Sequence, residues 1–66
     1  MEIKWTKDIA LVVHETEDIV VDEYFKAGEV HDVDVFNERE DSIDIQFGDG
    51  SVAYAVPRDC FKVEDE

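Results

Sequence analysis

One segment, residues 43–56, constrains the fold of this chain more than any other part of the sequence. It reads Ile-Asp-Ile-Gln-Phe-Gly-Asp-Gly-Ser-Val-Ala-Tyr-Ala-Val, so two alternating stretches meet at Asp49 and Gly50. Both of these residues tolerate positive φ, which a two-residue type I′ turn requires. The turn predicts the register of the hairpin: Phe47 falls opposite Val52, Ile45 opposite Tyr54 and Ile43 opposite Val56.

This register places the six large apolar side chains of the hairpin on one face. The opposite face takes Asp44, Gln46, Ala53 and Ala55, because successive side chains of a strand point to opposite sides. The hairpin therefore indicates a small β-protein with one buried face. It does not indicate an activity.

Length and composition predict one domain over residues 1–66, with 44% apolar residues as sufficient material for a compact core. The single Cys60 cannot form an intramolecular disulfide, and no Cys/His pair has zinc-ligand spacing. A lone thiol without a disulfide framework is typical of a reducing, cytoplasmic setting. The longest apolar run, residues 9–13, is too short to span a membrane.

The charge balance favours one class of partner. Nineteen acidic residues against six basic ones give a formal net charge of −13. Such a surface repels nucleic acid and anionic membranes, so direct binding to either is disfavoured and a basic protein surface is favoured. The alternative is that the charge serves only to keep the protein soluble.

The remaining sequence predicts strands and turns, with no sustained helical period. Four or five short strands are separated by polar connections, with a tight turn at residues 26–29. A single 3₁₀ turn is expected at residues 57–60, before a last strand at residues 61–63. Residues 1–7 can supply an extra strand, and residues 64–66 are expected to form a frayed acidic tail. This pattern predicts an all-β fold.

The order of these pieces resembles an SH3 domain. The resemblance lies in Ala-Leu at residues 10–11, an acidic loop, Phe-Lys-Ala-Gly-Glu at residues 25–29, the hairpin, and Ala-Val-Pro-Arg-Asp-Cys-Phe at residues 55–61. It implies a small five-stranded SH3-like barrel with a short 3₁₀ turn before the last strand. SH3 domains hold proline-rich peptides between aromatic rings, but Val-Val-His at residues 12–14 and Cys60 stand where the family has tyrosines. The resemblance therefore implies a barrel without its peptide groove.

A partner-binding surface can be predicted from the residues that remain. The acidic loop and one proline match the binding face of SH3 domains, and four aromatic side chains are candidates for an exposed rim: Trp5, Tyr24, Phe36 and Tyr54. The predicted contact residues are Glu15, Glu17, Asp18, Trp5, Tyr24, Phe36 and Pro57. Trp5 has an alternative place in the core, and for Tyr54 the core is the favoured place. The alternative for the acidic loop is that its charges are only solvated and bind no partner.

No catalytic, cofactor-binding or metal-binding residue is predicted. His31 lies on the apolar face of its strand, with Val33 and Val35, so a packed position is expected. Cys60 has one neighbouring cation against one neighbouring carboxylate and is expected to be a structural thiol. A chain of this length also leaves little room for a preorganised pocket, so enzyme activity is not expected.

Three functions follow from these observations. The first is a non-catalytic protein-interaction module that docks a basic protein. The second is a DNA mimic or inhibitor of the kind that phages and mobile elements encode, with carboxylates about 6.6–6.8 Å apart along a strand face. Its candidate row is Asp32, Asp34, Glu38, Glu40, Asp41 and Asp44. The third is a structural or self-assembling protein that pairs through an exposed edge strand; the acidic residues disfavour open-ended stacking but not a dimer.

Salt is expected to raise the melting temperature, because it screens the mutual repulsion of the carboxylates in the folded state. Thermal unfolding followed by circular dichroism at ionic strengths of about 0.01 M and about 0.15 M measures the effect. A melting temperature that falls steadily over this range would contradict the prediction.

Overall fold

The computed structural model describes residues 1–64, which form one antiparallel sheet of seven strands. The strands are β1 (Glu2–Trp5), β2 (Ile9–His14), β3 (Val20–Phe25), β4 (Val30–Glu38), β5 (Ser42–Phe47), β6 (Val52–Pro57) and β7 (Phe61–Val63), with a 3₁₀ turn over Arg58–Cys60. Their order in the sheet is β3-β2-β6-β5-β4-β1-β7. No helix in the described part of the chain is long and apolar enough to cross a membrane.

The all-β class is confirmed, and a 3₁₀ turn precedes the last strand as predicted. The five-stranded barrel is wrong, because the seven strands form one open sheet. The reason lies in β1, which pairs with β4 on one side and with β7 on the other. The last strand therefore pairs with β1, and within residues 1–64 β3 pairs only with β2. The two ends of the sheet, β3 and β7, are not joined.

The C-terminal tail was predicted to fray over residues 64–66. Residues 65 and 66 lie outside the described residues. The backbone N–H of Glu64 donates to the carbonyl oxygen of Glu2 at 2.8 Å. The sheet bonding of β1 with β7 thus extends one residue beyond β7.

The β5–β6 hairpin forms, but only part of its predicted register is correct. Ile43 pairs with Val56 as expected, whereas Ile45 pairs with Ala53 and not with Tyr54. The turn is one residue longer than a two-residue type I′ turn, since its closing bond runs from the N–H of Phe47 to the carbonyl oxygen of Ser51 at 2.8 Å. Gly50 takes a φ of 94° in this turn. A glycine in the left-handed region is usual at this place of a three-residue hairpin loop.

The one-residue difference in register is absorbed by a bulge in β6, where Ala55 has a φ of 55°. A bulge places two residues opposite one and reverses the faces beyond it. Ala53 is therefore fully buried, and Tyr54 is 54% exposed on the face opposite the core, which we call the outer face. The prediction that Tyr54 belongs to the core is wrong for this reason.

The core lies on the inner face of the curled sheet and is centred on Trp5, which has no exposed surface. Its ring stacks on Phe25 at 4.8 Å and meets Phe61 edge-on at 6.1 Å. Phe25 belongs to one end strand of the sheet and Phe61 to the other, so one side chain packs against both ends. The buried apolar residues are Ile3, Trp5, Leu11, Val13, Phe25, Val33, Ile43, Ile45, Ala53, Val56 and Cys60.

The backbone of Trp5 also holds the turn between β3 and β4. Its N–H donates to the carbonyl oxygen of Glu29 at 3.0 Å, and its carbonyl oxygen accepts from the N–H of Gly28 at 2.8 Å. Gly28 has a φ of 95°, which a residue with a side chain rarely adopts. These bonds draw the β3–β4 turn against β1 and curl the sheet around the indole.

Replacing Trp5 by Ala is expected to lower the free energy of unfolding by about 3–5 kcal/mol, because it empties the centre of the core. That loss is a large part of the total stability of a small domain. Denaturant unfolding measures it, with Trp5→Phe as a milder variant in case the alanine variant does not fold. The control is Tyr24→Ala, whose exposed side chain should cost less than about 0.5 kcal/mol. A cost at Trp5 no greater than at Tyr24 would contradict the packing described.

Candidate functional site

The outer face of the sheet is organised around the carboxylate of Asp44, which is only 5% exposed although it lies on the side away from the core. Two guanidinium nitrogens of Arg39 donate hydrogen bonds to it, Nη1 to Oδ2 at 3.1 Å and Nη2 to Oδ1. The side-chain amide of Asn37 donates to Oδ2 at 3.1 Å. The backbone N–H of Ala55 donates to Oδ1 at 2.8 Å. Residues from β4, the β4–β5 loop and β6 therefore converge on one side chain of β5.

These donors keep Asp44 ionised. The hydrogen bonds from Arg39 and then from Ala55 hold the pKa of the carboxyl far below its usual range, and the same contact raises the pKa of Arg39. The two charges offset one another. Asp44 was predicted to belong to a row of phosphate-like carboxylates, but its burial and its ion pair remove it from any such row.

Two bulges flank Asp44 and turn aromatic rings outward. In β4 the register shifts between Val35 and Asn37, so Phe36 is the extra residue, and in β6 the shift falls next to Tyr54. The rings of Phe36 and Tyr54 meet edge to face at 6.1 Å, and those of Tyr54 and His14 at 5.1 Å. These three side chains, which we call the aromatic row, come from β2, β6 and β4 and lie on the outer face.

One end of the aromatic row opens into a depression of about 260 Å³. Its lining includes His14, Val52 and Tyr54 on one side and Glu15 and Glu17 on the other. The acidic loop, residues 15–18, therefore borders the row in space. This contact joins an apolar surface to a negatively charged one.

The acidic loop is held in place by its own threonine. Thr16 Oγ1 accepts the backbone N–H groups of Asp18 at 3.2 Å and Ile19 at 3.1 Å. The N–H of Glu15 donates to the carbonyl oxygen of Ile19 at 2.9 Å. The loop is thus a closed turn, and its three acidic residues are exposed.

The predicted contact residues do not form a single surface. Glu15, Glu17 and Asp18 are exposed in the acidic loop, and Phe36 lies in the aromatic row. Tyr24 is exposed on β3 and Pro57 is half-buried at the end of β6. Trp5 is fully buried, so its side chain serves the core and is not available for contact with a partner.

Sequence reasoning favoured the core for Tyr54 and did not predict that its ring meets those of His14 and Phe36 on the outer face. Tyr54 is exposed because the three-residue turn shifts the register, and the bulge at Ala55 then returns Val56 to the core. No local pattern predicts that bulge. One signal was present in the sequence, because Gly-Asp-Gly at residues 48–50 is also compatible with a longer loop. A longer loop shifts the register by one residue and exposes Tyr54.

A second depression, of about 380 Å³, lies between the end of β3, the beginning of β4 and the β5–β6 turn. We call it the seam. The rings of Phe25 and Phe47 stack there at 5.6 Å, and the ring of His31 packs edge-on against Phe25 at 5.2 Å. His31 Nε2 is 3.5 Å from Glu29 Oε1. The predicted place of His31 on the apolar face of its strand is confirmed.

The Cys60 thiol is buried beneath the 3₁₀ turn, 3.6 Å from Asp59 Oδ1. Burial raises the pKa of Cys60, and the neighbouring carboxylate raises it further. The sulfur is therefore protonated at neutral pH. Its environment is that of a packed side chain rather than of an activated nucleophile.

Replacing Asp44 by Asn is expected to destabilise the protein at pH 7, because Arg39 loses its charged partner. An Asp in an unfolded chain has a pKa of about 3.9, and the folded state holds the pKa of Asp44 below that value. The stabilisation is therefore complete above about pH 5 and is lost as the pH falls towards the folded-state pKa. Denaturant unfolding of both proteins at about pH 7 and about pH 3 should show the difference between them narrowing in acid.

The matched control is Asp34→Asn, which removes an exposed carboxylate from β4. It controls for the smaller electrostatic repulsion among the remaining carboxylates that follows when any one negative charge is removed. A stability difference between the Asp44→Asn and wild-type proteins that stays constant from neutral to acid pH would contradict this account of Asp44.

Comparison with models of known protein families, with curated proteins and with solved structures found no match to this chain. The function of the chain is therefore inferred from its own residues. They show a small all-β domain built on one open sheet, with an aromatic row, an acidic loop and a seam.

Proposed function

We propose that this chain is a non-catalytic protein-interaction module that docks a basic surface of a partner protein. The observation that supports the proposal is the depression where the acidic loop meets the aromatic row. An apolar surface with an aromatic centre and a charged rim is the usual composition of a protein-binding patch.

The charges of the acidic loop are uncompensated. In residues 1–64 the ion pairs involve other carboxylates, and none of the residues that line the depression is Lys or Arg. The carboxylates of Glu15, Glu17 and Asp18 therefore project a negative field that a basic partner would neutralise.

The aromatic row adds a specific way to hold a cation. A lysine ammonium or an arginine guanidinium over the ring of Tyr54 gains a cation–π interaction of about 0.5–2 kcal/mol, depending on how far it is desolvated. The same group can reach Glu15 or Glu17 across the depression and form a charge-assisted hydrogen bond. An arginine or a lysine is accordingly the side chain that this depression fits.

The resemblance to SH3 domains supports a binding role in a modified form. The acidic loop follows the Ala-Leu strand as in that family, but the aromatic residues that hold proline-rich peptides are replaced. We infer that charge, rather than a proline-rich helix, is what the ligand contributes. The open sheet and its additional strand β1 set this chain apart from the five-stranded barrel of the family.

The test is a charge reversal with a matched control. The immobilised protein captures partners from a lysate of its source cells, and retention is compared for wild type, for Glu15→Lys/Glu17→Lys/Asp18→Lys and for Asp34→Lys/Glu40→Lys/Asp41→Lys. Both triple variants change the net charge by the same amount, and all six side chains are exposed. Loss of a basic partner only from the loop variant is the expected result, with affinity falling at least about tenfold.

The control triple also tests the DNA-mimic alternative, because its residues belong to the predicted carboxylate row. A partner that is lost only from the control triple and is displaced by added DNA would contradict the proposal and favour mimicry. Equal retention by all three proteins would contradict both functions.

A further inference from the structure

The strand β3 has a free edge. All six of its residues are paired with β2, from Val20 opposite His14 to Phe25 opposite Ile9. Because β3 ends the sheet, the backbone groups on its other edge have no strand partner within residues 1–64. The strand at the other end of the sheet, β7, has only three residues. The edge of β3 is therefore the longer template for another strand.

The inner side of β3 is also incompletely covered. Val21 and Glu23 lie opposite Val13 and Leu11, which are buried, and they point to the same side as Phe25. Val21 is nevertheless 36% exposed, and Glu23 is exposed as well. The described chain therefore covers these two side chains only in part. The seam continues this uncovered strip to the rings of Phe25 and Phe47.

The charges along this edge select against a second copy of the chain. Antiparallel pairing of two β3 strands would bring Asp22 and Glu23 of one copy against the same residues of the other, and like charges opposite one another are destabilising. Each copy also carries a net charge of −13. A charged residue that points inward on an edge strand is a recognised obstacle to pairing with similar strands.

The same charges favour a strand with lysine or arginine. None of the residues that line the seam is Lys or Arg, and they include Glu23, Asp32 and Asp49. Asp32 already contacts the N-terminal ammonium at 3.2 Å, and Asp49 accepts from Ser51. Glu23 forms no ion pair within the described residues. It is the carboxylate that remains for an incoming cation.

We propose that an extended, lysine- or arginine-bearing segment of the partner protein adds as a strand to the free edge of β3 and covers the seam. This inference rests on the proposed function, since it assumes a basic partner. The acidic loop ends two residues before Val20, the first residue of β3, so the six residues of β3 connect the loop region with the seam over about 20 Å. One continuous segment can therefore engage both.

Strand addition divides the recognition between backbone and side chains. The backbone of the segment bonds the free edge of β3 and supplies affinity. Its inward side chains cover Val21 and the Phe25–Phe47 stack and bring a cation to Glu23. Its outward side chains face Asp22 and the exposed ring of Tyr24.

The test uses a synthetic peptide of about ten residues with the repeat Lys-Val-Lys-Thr, long enough to span β3. A second peptide with the same lysines has proline in place of valine and threonine, so that it cannot pair as a strand. Nuclear magnetic resonance titration of the labelled protein gives the affinity and the amides that respond. We expect binding of the first peptide with the largest shifts over β3, and at least about tenfold weaker binding of the second.

The variant pair Asp22→Lys/Glu23→Lys is expected to weaken binding of the Lys-Val-Lys-Thr peptide at least about tenfold. The matched control, Asp34→Lys/Glu40→Lys, changes the net charge equally and should alter binding less than about twofold. Circular dichroism of both variants verifies that they are folded. Equal effects of the two variants, equal binding of the two peptides, or shifts centred away from β3 would each overturn the proposal.

Three further outcomes separate this proposal from others. A dimer that sedimentation detects and that protects the β3 amides from exchange would assign the edge to a second copy, and would overturn the inference. Retention of the captured partner by Asp22→Lys/Glu23→Lys, with its loss from the acidic-loop variant, would overturn strand addition and leave the proposed function standing. Failure of the loop variant to release the partner would overturn the proposed function itself.

Discussion

The ion pair between Asp44 and Arg39 is the interaction on which the outer face of this domain depends. A carboxylate with so little exposure on the central strand β5 would be costly without donors. Here the donors come from a guanidinium, a side-chain amide and the N–H of Ala55. The last of these bonds stabilises the bulge in β6. Through that bulge, one carboxylate determines which residues of β6 face the core.

The consequences extend across the sheet. With the three-residue turn and the bulge in place, Ala53 fills the core and Tyr54 joins Phe36 and His14 on the outside. The depression beside the acidic loop exists because of this exchange. The inner face depends in the same way on Trp5, which packs against both ends of a sheet that hydrogen bonds do not close. The open sheet then leaves β3 with a free edge. Apolar packing around Trp5 thus shapes the inner face of the sheet, and the polar contacts of Asp44 shape the outer face.

Local patterns predicted the all-β class, the pairing of Ile43 with Val56 and the packed position of His31. They could do so because alternation and turn residues are properties of short segments. They did not predict that β1 lies between β4 and β7, since that pairing joins distant parts of the chain. They also missed the bulge next to Tyr54, because it rests on a contact of Asp44 with residues outside β5. The acidic loop was predicted from its composition, but its position beside the rings of His14 and Tyr54 was not.

The most direct test of this account is the set of nuclear Overhauser contacts of the Tyr54 ring. The account predicts contacts to the rings of His14 and Phe36, together with a buried Ala53 methyl group close to Ile45. A hairpin with a two-residue turn and no bulge would place Tyr54 opposite Ile45 on the core face. Contacts from the Tyr54 ring to the Ile45 methyl groups, with none to His14 or Phe36, would contradict the account.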